Sequence, residues 1–138
     1  MTIDASSGGD VSLEAFDDLA RNAFANLPEG FRKLCGNVVI HVADEAEQDV
    51  LQDFGIDDPL ELSGLFEGVA MTEASVIDPV GFPNHVHLYR RSILAEWRER
   101  GDIALDELIT HVLVHEIGHH FGLSDADMHR IEDEATQH

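Results

Sequence analysis

The stretch from His115 to Asp125 constrains this chain more than any other, because it sets two histidines four residues apart within a predicted helix. Its sequence is HEIGHHFGLSD, which matches the pattern HExxHxxGxxD. An α-helix turns about 100° and rises about 1.5 Å per residue, so His115 and His119 share one face roughly 6 Å apart. Two imidazoles at this spacing can bind a single zinc ion. Glu116 lies on the adjoining flank, where it can act on a water molecule without binding the metal.

A third ligand is expected just beyond the helix. Gly122 is predicted to end the helix in the left-handed conformation, which glycine adopts at no steric cost. The turn would return Asp125 as the third protein ligand and leave a fourth position for water, as in catalytic zinc sites. His129 and Glu132 could reach inward instead if a new helix begins near Ser124. We favour Asp125. The remaining alternative is an amphipathic helix that carries the pattern by chance, and the Gly and Asp at fixed offsets argue against it.

Two further histidines lie on the same predicted helix. His111 continues the row at i, i+4, i+8 spacing, but His111 and His119 would be about 12 Å apart along the axis. One metal ion cannot bind both, so we predict that His111 faces the core or supports a ligand from behind. His120 points about 100° away from His119 and is predicted to face the surface or a substrate.

The charge of the chain limits its partners. There are 8 Lys and Arg residues against 28 Asp and Glu residues, a formal net charge of −20. Such a surface repels phosphate backbones and anionic lipids, so we expect no nucleic acid and no membrane partner. It could attract cationic peptides, although solubility alone explains an acidic surface equally well. No apolar run approaches the roughly 18 residues of a membrane span and no signal segment is evident, so we expect a cytoplasmic protein.

The length of 138 residues suffices for one hydrophobic core rather than two. We predict a Gly- and Ser-rich disordered tail over 1–10 and a single domain over 11–138. Cys35 is the only cysteine. It therefore forms no internal disulfide and no cysteine-based zinc site, and we predict a small buried residue.

Hydrophobic periodicity predicts a mixed chain of helices and strands. An amphipathic helix is predicted over 13–26, capped by Ser12 and ended by Pro28 and Gly30. The other expected elements are a buried strand at 38–42, a short helix within 44–53, a strand at 65–71, a loop over 72–83, an alternating strand at 84–91, a helix at 93–100 capped by Ser92, the motif helix at 102–121 and a helical tail from 125 to 138.

The motif helix carries apolar residues almost all round, which is typical of a helix buried in the middle of its domain. The polar groups of the motif need partners in such a place, and metal binding would provide them. Gly118 in its interior costs about 1 kcal/mol of helix propensity. We expect the close approach of a strand or of substrate backbone there. Gly64 and Gly68 likewise predict a bulge or a close backbone approach.

The strand at 84–91 places His85, His87 and Tyr89 on one face. The two histidines could bind a metal, but we favour a solvated strand face. Tyr89, Arg90 and Arg91 could donate to a transition-state oxyanion. In so acidic a chain we favour the arginines as structural salt-bridge anchors.

The segment from His115 to Asp125 resembles the metzincin-type zincin signature, with aspartate in place of the usual third histidine. The chain as a whole resembles the bacterial minimal zincin-like metallopeptidases. The segments that carry this likeness are the first helix, 38–42, GLFEG at 64–68, LYRR at 88–91 and VHEIGHHFGLSD at 114–125. The resemblance implies an α+β fold in which a small, twisted, mixed sheet of about three strands packs on a buried HExxH helix.

The resemblance also implies that His115, His119 and Asp125 bind zinc (Zn²⁺) and that Glu116 is the general base of a metallopeptidase. Larger zincins have a methionine-containing turn well beyond the third ligand, whereas Met128 follows Asp125 by only three residues. Little chain is left for a second subdomain to wall a cleft. The substrate is therefore expected to be a peptide or an unfolded protein, lying along a strand edge at 64–71 or 85–89.

Two alternatives remain from the residues themselves. The first is a non-enzymatic, metal-stabilised interaction module that keeps the site for folding. The second is a zinc-dependent ribonuclease, because some small zinc nucleases carry His-x3-His followed by a third ligand. The charge of −20 and the position of Glu116 argue against the ribonuclease.

Overall fold

The computed structural model describes residues 11–67 and 84–136. The predicted tail at 1–10, the loop at 72–83 and positions 68–71 of the predicted strand lie outside the described residues. In chain order the elements are α1 (Leu13–Ala25), α2 (Glu29–Cys35), β1 (Val38–Ala43), α3 (Gln48–Asp53), a 3-10 turn (Pro59–Glu61), β2 (Gly64–Glu67), β3 (Asn84–Tyr89), α4 (Arg90–Arg100), α5 (Leu105–Phe121) and α6 (Asp125–Thr136).

The three strands form one small mixed sheet in the order β1-β3-β2. β1 runs parallel to β3, with Ile40 opposite Val86, and β2 runs antiparallel to β3, with Phe66 opposite Val86. This sheet, packed with helices, confirms the α+β class and the expected number of strands. Because β3 is paired on both sides, the expectation that 85–89 could serve as an open edge is wrong. Within the described sheet, β1 and β2 are the edges.

The central strand alternates as its sequence predicts. Val86 and Leu88 are fully buried, whereas His85 and His87 on the opposite face are only half-buried. Tyr89 shares the histidine face but is buried, because Ala46 and Leu51 form a second small apolar cluster with it. One end of the outer sheet face is therefore covered, and the end with the histidines is open.

Helix α5 lies at the centre of the domain. It packs against α1, α4, α6, β2 and β3. Its apolar side chains are almost entirely removed from water, as predicted for a helix that is apolar nearly all round; the fully buried ones are Leu108, Ile109, Leu113, Val114 and Ile117. His119 and His120 at its C-terminal end are exposed. Among the described residues, no helix has the length and apolar character needed to span a bilayer.

The start of α1 follows the predicted capping, and the residues after it do not follow the prediction. The Ser12 hydroxyl accepts a hydrogen bond from the Ala15 amide at 3.1 Å. Pro28 was expected only to end a helix, but it also precedes a second one, α2. That helix has seven residues, too short for periodicity to reveal, and it buries Phe31 and Cys35. Cys35 is fully buried, as predicted.

The predicted helix cap at Ser92 is wrong. Helix α4 begins at Arg90, directly after β3, so Ser92 lies inside its first turn. The Ser92 hydroxyl is buried and donates to the Pro59 carbonyl oxygen at 3.1 Å. A contact 33 residues away in sequence thus takes the hydroxyl that local reasoning assigned to a cap.

Candidate metal centre

The motif lies on the last two turns of α5, and the helix ends as predicted. Gly122 has a φ of 73° in the left-handed region. The Leu123 amide donates to the Gly118 carbonyl at 2.9 Å, the long hydrogen bond of a glycine-terminated helix. The chain then enters α6, and the hydroxyl of Ser124, just before that helix, accepts from the Asp127 amide at 3.1 Å. α6 folds back and packs against α5.

The two motif histidines lie next to each other on α5. The ring centroids of His115 and His119 are 5.7 Å apart, with the planes at 89°. His115 is half-buried and His119 is exposed, so one imidazole is sheltered and the other is open to solvent. Burial, followed by the nearby charge of His111, lowers the pKa of His115. A lowered pKa favours the neutral imidazole, which is the form that binds metals.

Glu116 lies where α5 meets the edge strand. Its carboxyl is largely buried, and burial raises its pKa, with an opposing effect from His119. A Cβ placed on Gly64 would stand 3.2 Å from Cγ of Glu116 and 3.1 Å from the carbonyl oxygen of His87. The close backbone approach expected at Gly64 is therefore confirmed, and the partner of the strand is the motif helix.

Strand β2 also borders the exposed end of the motif. The ring of Phe66 lies 4.6 Å from that of His120 and 5.9 Å from that of Phe121, measured between centroids. His120 is exposed, as predicted, and its ring faces the side of the helix that β2 occupies. Strand β2 thus places Gly64 beside Glu116 and Phe66 beside the C-terminal end of α5.

The packing of helix α6 explains why position 118 is a glycine. A Cβ at Gly118 would stand 2.5 Å from the sulfur of Met128 and 2.9 Å from its Cγ. The expectation of a strand or substrate backbone at this glycine is wrong, because a side chain from the returning helix takes the space. Met128 is fully buried, so a methionine does lie beneath the helix that bears the motif.

One turn further along α6, Glu132 reaches two histidines of α5. Its Oε1 is 2.7 Å from Nδ1 of His111, and its Oε2 is 3.0 Å from Nε2 of His115. The rings of His111 and His115 are 4.0 Å apart. His111 therefore stands beside the motif, so the option that it faces the core is wrong, and its role in supporting a ligand stays a prediction. One ligand atom from each of the three residues lies within 4.8 Å of the others.

Asp125, the predicted third ligand, is the first residue of α6 and is exposed. It does not belong to the group of closely spaced metal-binding atoms around Glu132. The ligand set of His115, His119 and Asp125 stays a prediction. His129, the other alternative, has its ring 6.5 Å from that of His115.

The donors collected between α5 and α6 suit zinc. They are imidazoles and carboxylates, which zinc accepts in catalytic sites, and no thiolate is among them. The importance of Glu132 could have been recognised more strongly from the sequence. Met128, Glu132 and Ala135 recur at i, i+4, i+7, which places the glutamate on the buried face of α6.

Comparison with models of known protein families gives a match for this chain. A family model described as zincin-like metallopeptidase matches residues 35–135, most of the chain. The chain belongs to the zincin-like metallopeptidase family. Membership suggests a hydrolase that uses a metal, typically zinc, and it confirms the zincin-like metallopeptidase family predicted from the sequence. Among curated proteins, none matches the chain significantly.

The paired arginines of this zincin-like metallopeptidase act as structural anchors, as favoured from the sequence. Nε of Arg90 donates to Asp44 at 2.7 Å, and its Nη1 donates to the Val11 carbonyl at 2.7 Å. Arg91 pairs with Glu45. Both arginines tie the start of α4 to the segment after β1, so their cationic groups already have anionic partners.

The histidines of the sheet form a separate cluster on the face opposite α5. Nε2 of His41 is 2.9 Å from Nδ1 of His85, and Nε2 of His87 is 2.8 Å from Oε1 of Glu67. The rings of His41 and His87 stack at 4.6 Å. We call these four residues the sheet-face cluster. It is half-exposed, as favoured from the alternation, and it has no part in the motif.

Proposed function

We propose that this zincin-like protein is a zinc-dependent peptidase in which His115, His119 and Asp125 hold the metal and Glu116 is the general base. The observation that carries the proposal is the placement of Glu116. Its carboxyl is largely buried, lies on the flank of α5 next to the two histidines and adjoins a strand edge. The family to which the chain belongs supports the same chemistry.

The residues of this chain have defined parts in the reaction. Bound zinc would supply a Lewis acid that polarises the scissile carbonyl and lowers the pKa of a water molecule. Glu116 accepts the proton of the attacking water. It then donates that proton to the leaving amine, so the carboxyl returns to its starting state. Burial supports this part, because a raised pKa brings a carboxyl closer to the value that suits proton transfer near neutral pH.

The substrate we propose is a peptide or an unfolded protein segment in extended form. β2 is an edge of the described sheet and lies against the motif helix. An extended segment can add to such an edge through main-chain hydrogen bonds. The net charge of −20 favours cationic segments and disfavours nucleic acid and membrane surfaces.

Replacement of one carboxylate tests the mechanism. Glu116→Gln is expected to keep zinc and the fold but to lower peptide hydrolysis by at least about 100-fold, the effect of losing a general base. Glu107→Gln, which changes an exposed carboxylate on the first turn of α5, is the matched control and should cleave like the wild type. A Glu116→Gln protein that cleaves as fast as the wild type would show that the mechanism is wrong.

Metal analysis tests the ligand set. Loss of zinc in both His119→Ala and Asp125→Ala would support the proposed ligands, whereas zinc retained in Asp125→Ala would exclude that residue. The two alternative functions give different results. In a metal-stabilised interaction module, chelation unfolds the domain and no peptide library is cleaved. In a ribonuclease, RNA is cleaved and chelation abolishes that cleavage.

A further inference from the structure

A carboxylate that the proposed ligand set does not use is held between two histidines. Glu132 lies 2.7 Å from His111 and 3.0 Å from His115, measured between the closest nitrogen and oxygen atoms. The side chains of Glu132, His115 and His111 are 17%, 22% and 35% exposed. In a chain with so many solvated carboxylates, this one is sheltered between two packed helices.

The spacing of these atoms is close to that of a coordination shell. Imidazole nitrogens and carboxylate oxygens bind zinc at about 2.0–2.2 Å, so two such ligands lie at most about 4.4 Å apart. The two measured separations, each to a different oxygen of Glu132, fall well inside that limit, and one ligand atom from each of the three residues lies within 4.8 Å of the others. Small rotations of side chains would suffice to bring them to a common ion.

We propose that His111, His115 and Glu132 form a second metal position, for zinc or a similar divalent transition metal, displaced along α5 from the HExxH pair. We call it the Glu132 position. It differs from the proposed catalytic set because it takes His111 from the preceding turn and does not use His119. Helix α6 supplies its carboxylate, one turn after Met128, which packs against Gly118 of α5.

His115 belongs to both positions. Its Nε2 is the atom that faces Glu132. If the same nitrogen binds the catalytic metal, the two positions exclude each other, and the chain holds one metal ion at a time on this helix. This exclusion rests on the proposed function; the Glu132 position itself does not.

The test removes the catalytic ligands and asks what still binds. In protein stripped of metal, His119→Asn combined with Asp125→Asn leaves only His115 of the proposed catalytic set. This background is expected to bind about one Zn²⁺ per chain, measured by calorimetry with Zn²⁺ alone. Adding His111→Asn or Glu132→Gln should weaken that binding by more than about 100-fold, beyond the 10- to 100-fold effect of residues that only support a ligand.

Two matched controls keep the result specific. Glu134→Gln removes an exposed carboxylate from the same helix, and His85→Asn removes an imidazole from the sheet-face cluster. Neither should change Zn²⁺ binding in the same background. Circular dichroism of each variant checks the fold. Nuclear magnetic resonance provides a measurement without further substitution, because saturating Zn²⁺ should shift the ring signals of His111 in the background protein.

Several results would overturn the inference. One is that the background protein binds no Zn²⁺ at all. Another is that the ring signals of His111 stay unchanged when Zn²⁺ is added. A third is that Zn²⁺ binding survives both added substitutions. If Glu132→Gln removes zinc from otherwise wild-type protein while His111→Asn does not, Glu132 is a ligand of the HExxH site and no second position exists. Failure of the proposed function would appear elsewhere, as unchanged peptide hydrolysis in Glu116→Gln.

Discussion

The backbone of Gly64 lies directly against the side chain of Glu116. A methyl group at position 64 would stand 3.2 Å from Cγ of Glu116, 3.2 Å from Val112 and 3.1 Å from the His87 carbonyl. The strand edge and the proposed general base are therefore packed on one another. A substitution that displaces the strand should therefore also displace the carboxyl of Glu116.

Gly64→Ala is expected to destabilise the domain by about 1–3 kcal/mol, the usual cost of overpacking a filled site. Two of the three contacts are with a backbone oxygen and a β-branched side chain, which cannot easily give way. Urea unfolding measures the change. Gly30→Ala is the control, since a Cβ there meets nothing within 4 Å in helix α2, and it should be neutral or stabilise by up to about 1 kcal/mol. Equal stabilities of the two variants would contradict the packing.

Gly118→Ala should also destabilise, although alanine has the better helix propensity by about 1 kcal/mol. The new Cβ would stand 2.5 Å from the Met128 sulfur, so the methionine must move within a filled core. Shortening the methionine should relieve the clash. The double variant Gly118→Ala/Met128→Ala is expected to lose less stability than the sum of the two single losses, as a double-mutant cycle measures. Additive losses would mean that the two residues do not interact.

Features that depend on neighbours in the sequence were predictable. Ser12 caps α1 and Gly122 ends α5 in the left-handed conformation, because a cap and a helix end are set by a few adjacent residues. The alternation of β3 predicted its faces for the same reason. The motif itself required only the periodicity of one helix.

Features that depend on distant contacts were not predictable. Ser92 gives its hydroxyl to Pro59, and Gly118 makes room for Met128; neither pairing has a local signature. Glu132 is a mixed case, because the periodicity of α6 places it on the buried face of that helix but does not identify its partners. The sequence left it as an alternative to Asp125, and only the packing of α6 on α5 brings it to His111 and His115.

The thiol of Cys35 is predicted to be unreactive in the folded protein. Burial raises its pKa from 9.0 to about 12, and the thiol lies 3.2 Å from the Phe31 carbonyl oxygen. The reactive form is the thiolate, so almost none is present at pH 9.0, where an ordinary thiol is half ionised. Iodoacetamide labelling, followed by mass spectrometry, should be slow in buffer and fast in denaturant. Rapid labelling of the folded chain would show that the site opens readily.

The raised pKa of Cys35 also predicts how the stability of the fold changes at alkaline pH. The folded state holds the proton of Cys35 more tightly than the unfolded state does. The contribution of the thiol is therefore complete below about pH 9 and declines as the pH rises towards about 12. Cys35→Ala should make this decline shallower, while losing some packing at every pH. The measurement is urea unfolding across that range, and identical slopes in both proteins would contradict the assignment.

The sheet-face cluster should make the domain less stable in mild acid. The pKa of His41 is lowered by burial first, then by the nearby charges of His87 and His85, with Arg21 adding to the effect and Glu67 opposing it. The unfolded chain therefore takes up the proton of His41 before the folded chain does. The contribution of His41 to the stability of the fold is therefore complete above about pH 6.5. It is lost as the pH drops through the lowered pKa that His41 has in the folded protein.

His41→Asn removes this group and should flatten that fall. Because His41 is exposed and solvent screens its charge, the difference between about pH 7.5 and about pH 5.5 is expected to be only about 0.5 kcal/mol. Urea unfolding of both proteins at these two pH values measures it. Val39→Thr, at an exposed position of β1 that carries no titratable group, serves as the control and should keep the wild-type pH dependence. If the stability of the His41→Asn protein depends on pH as the wild type does, His41 does not cause the loss of stability in mild acid.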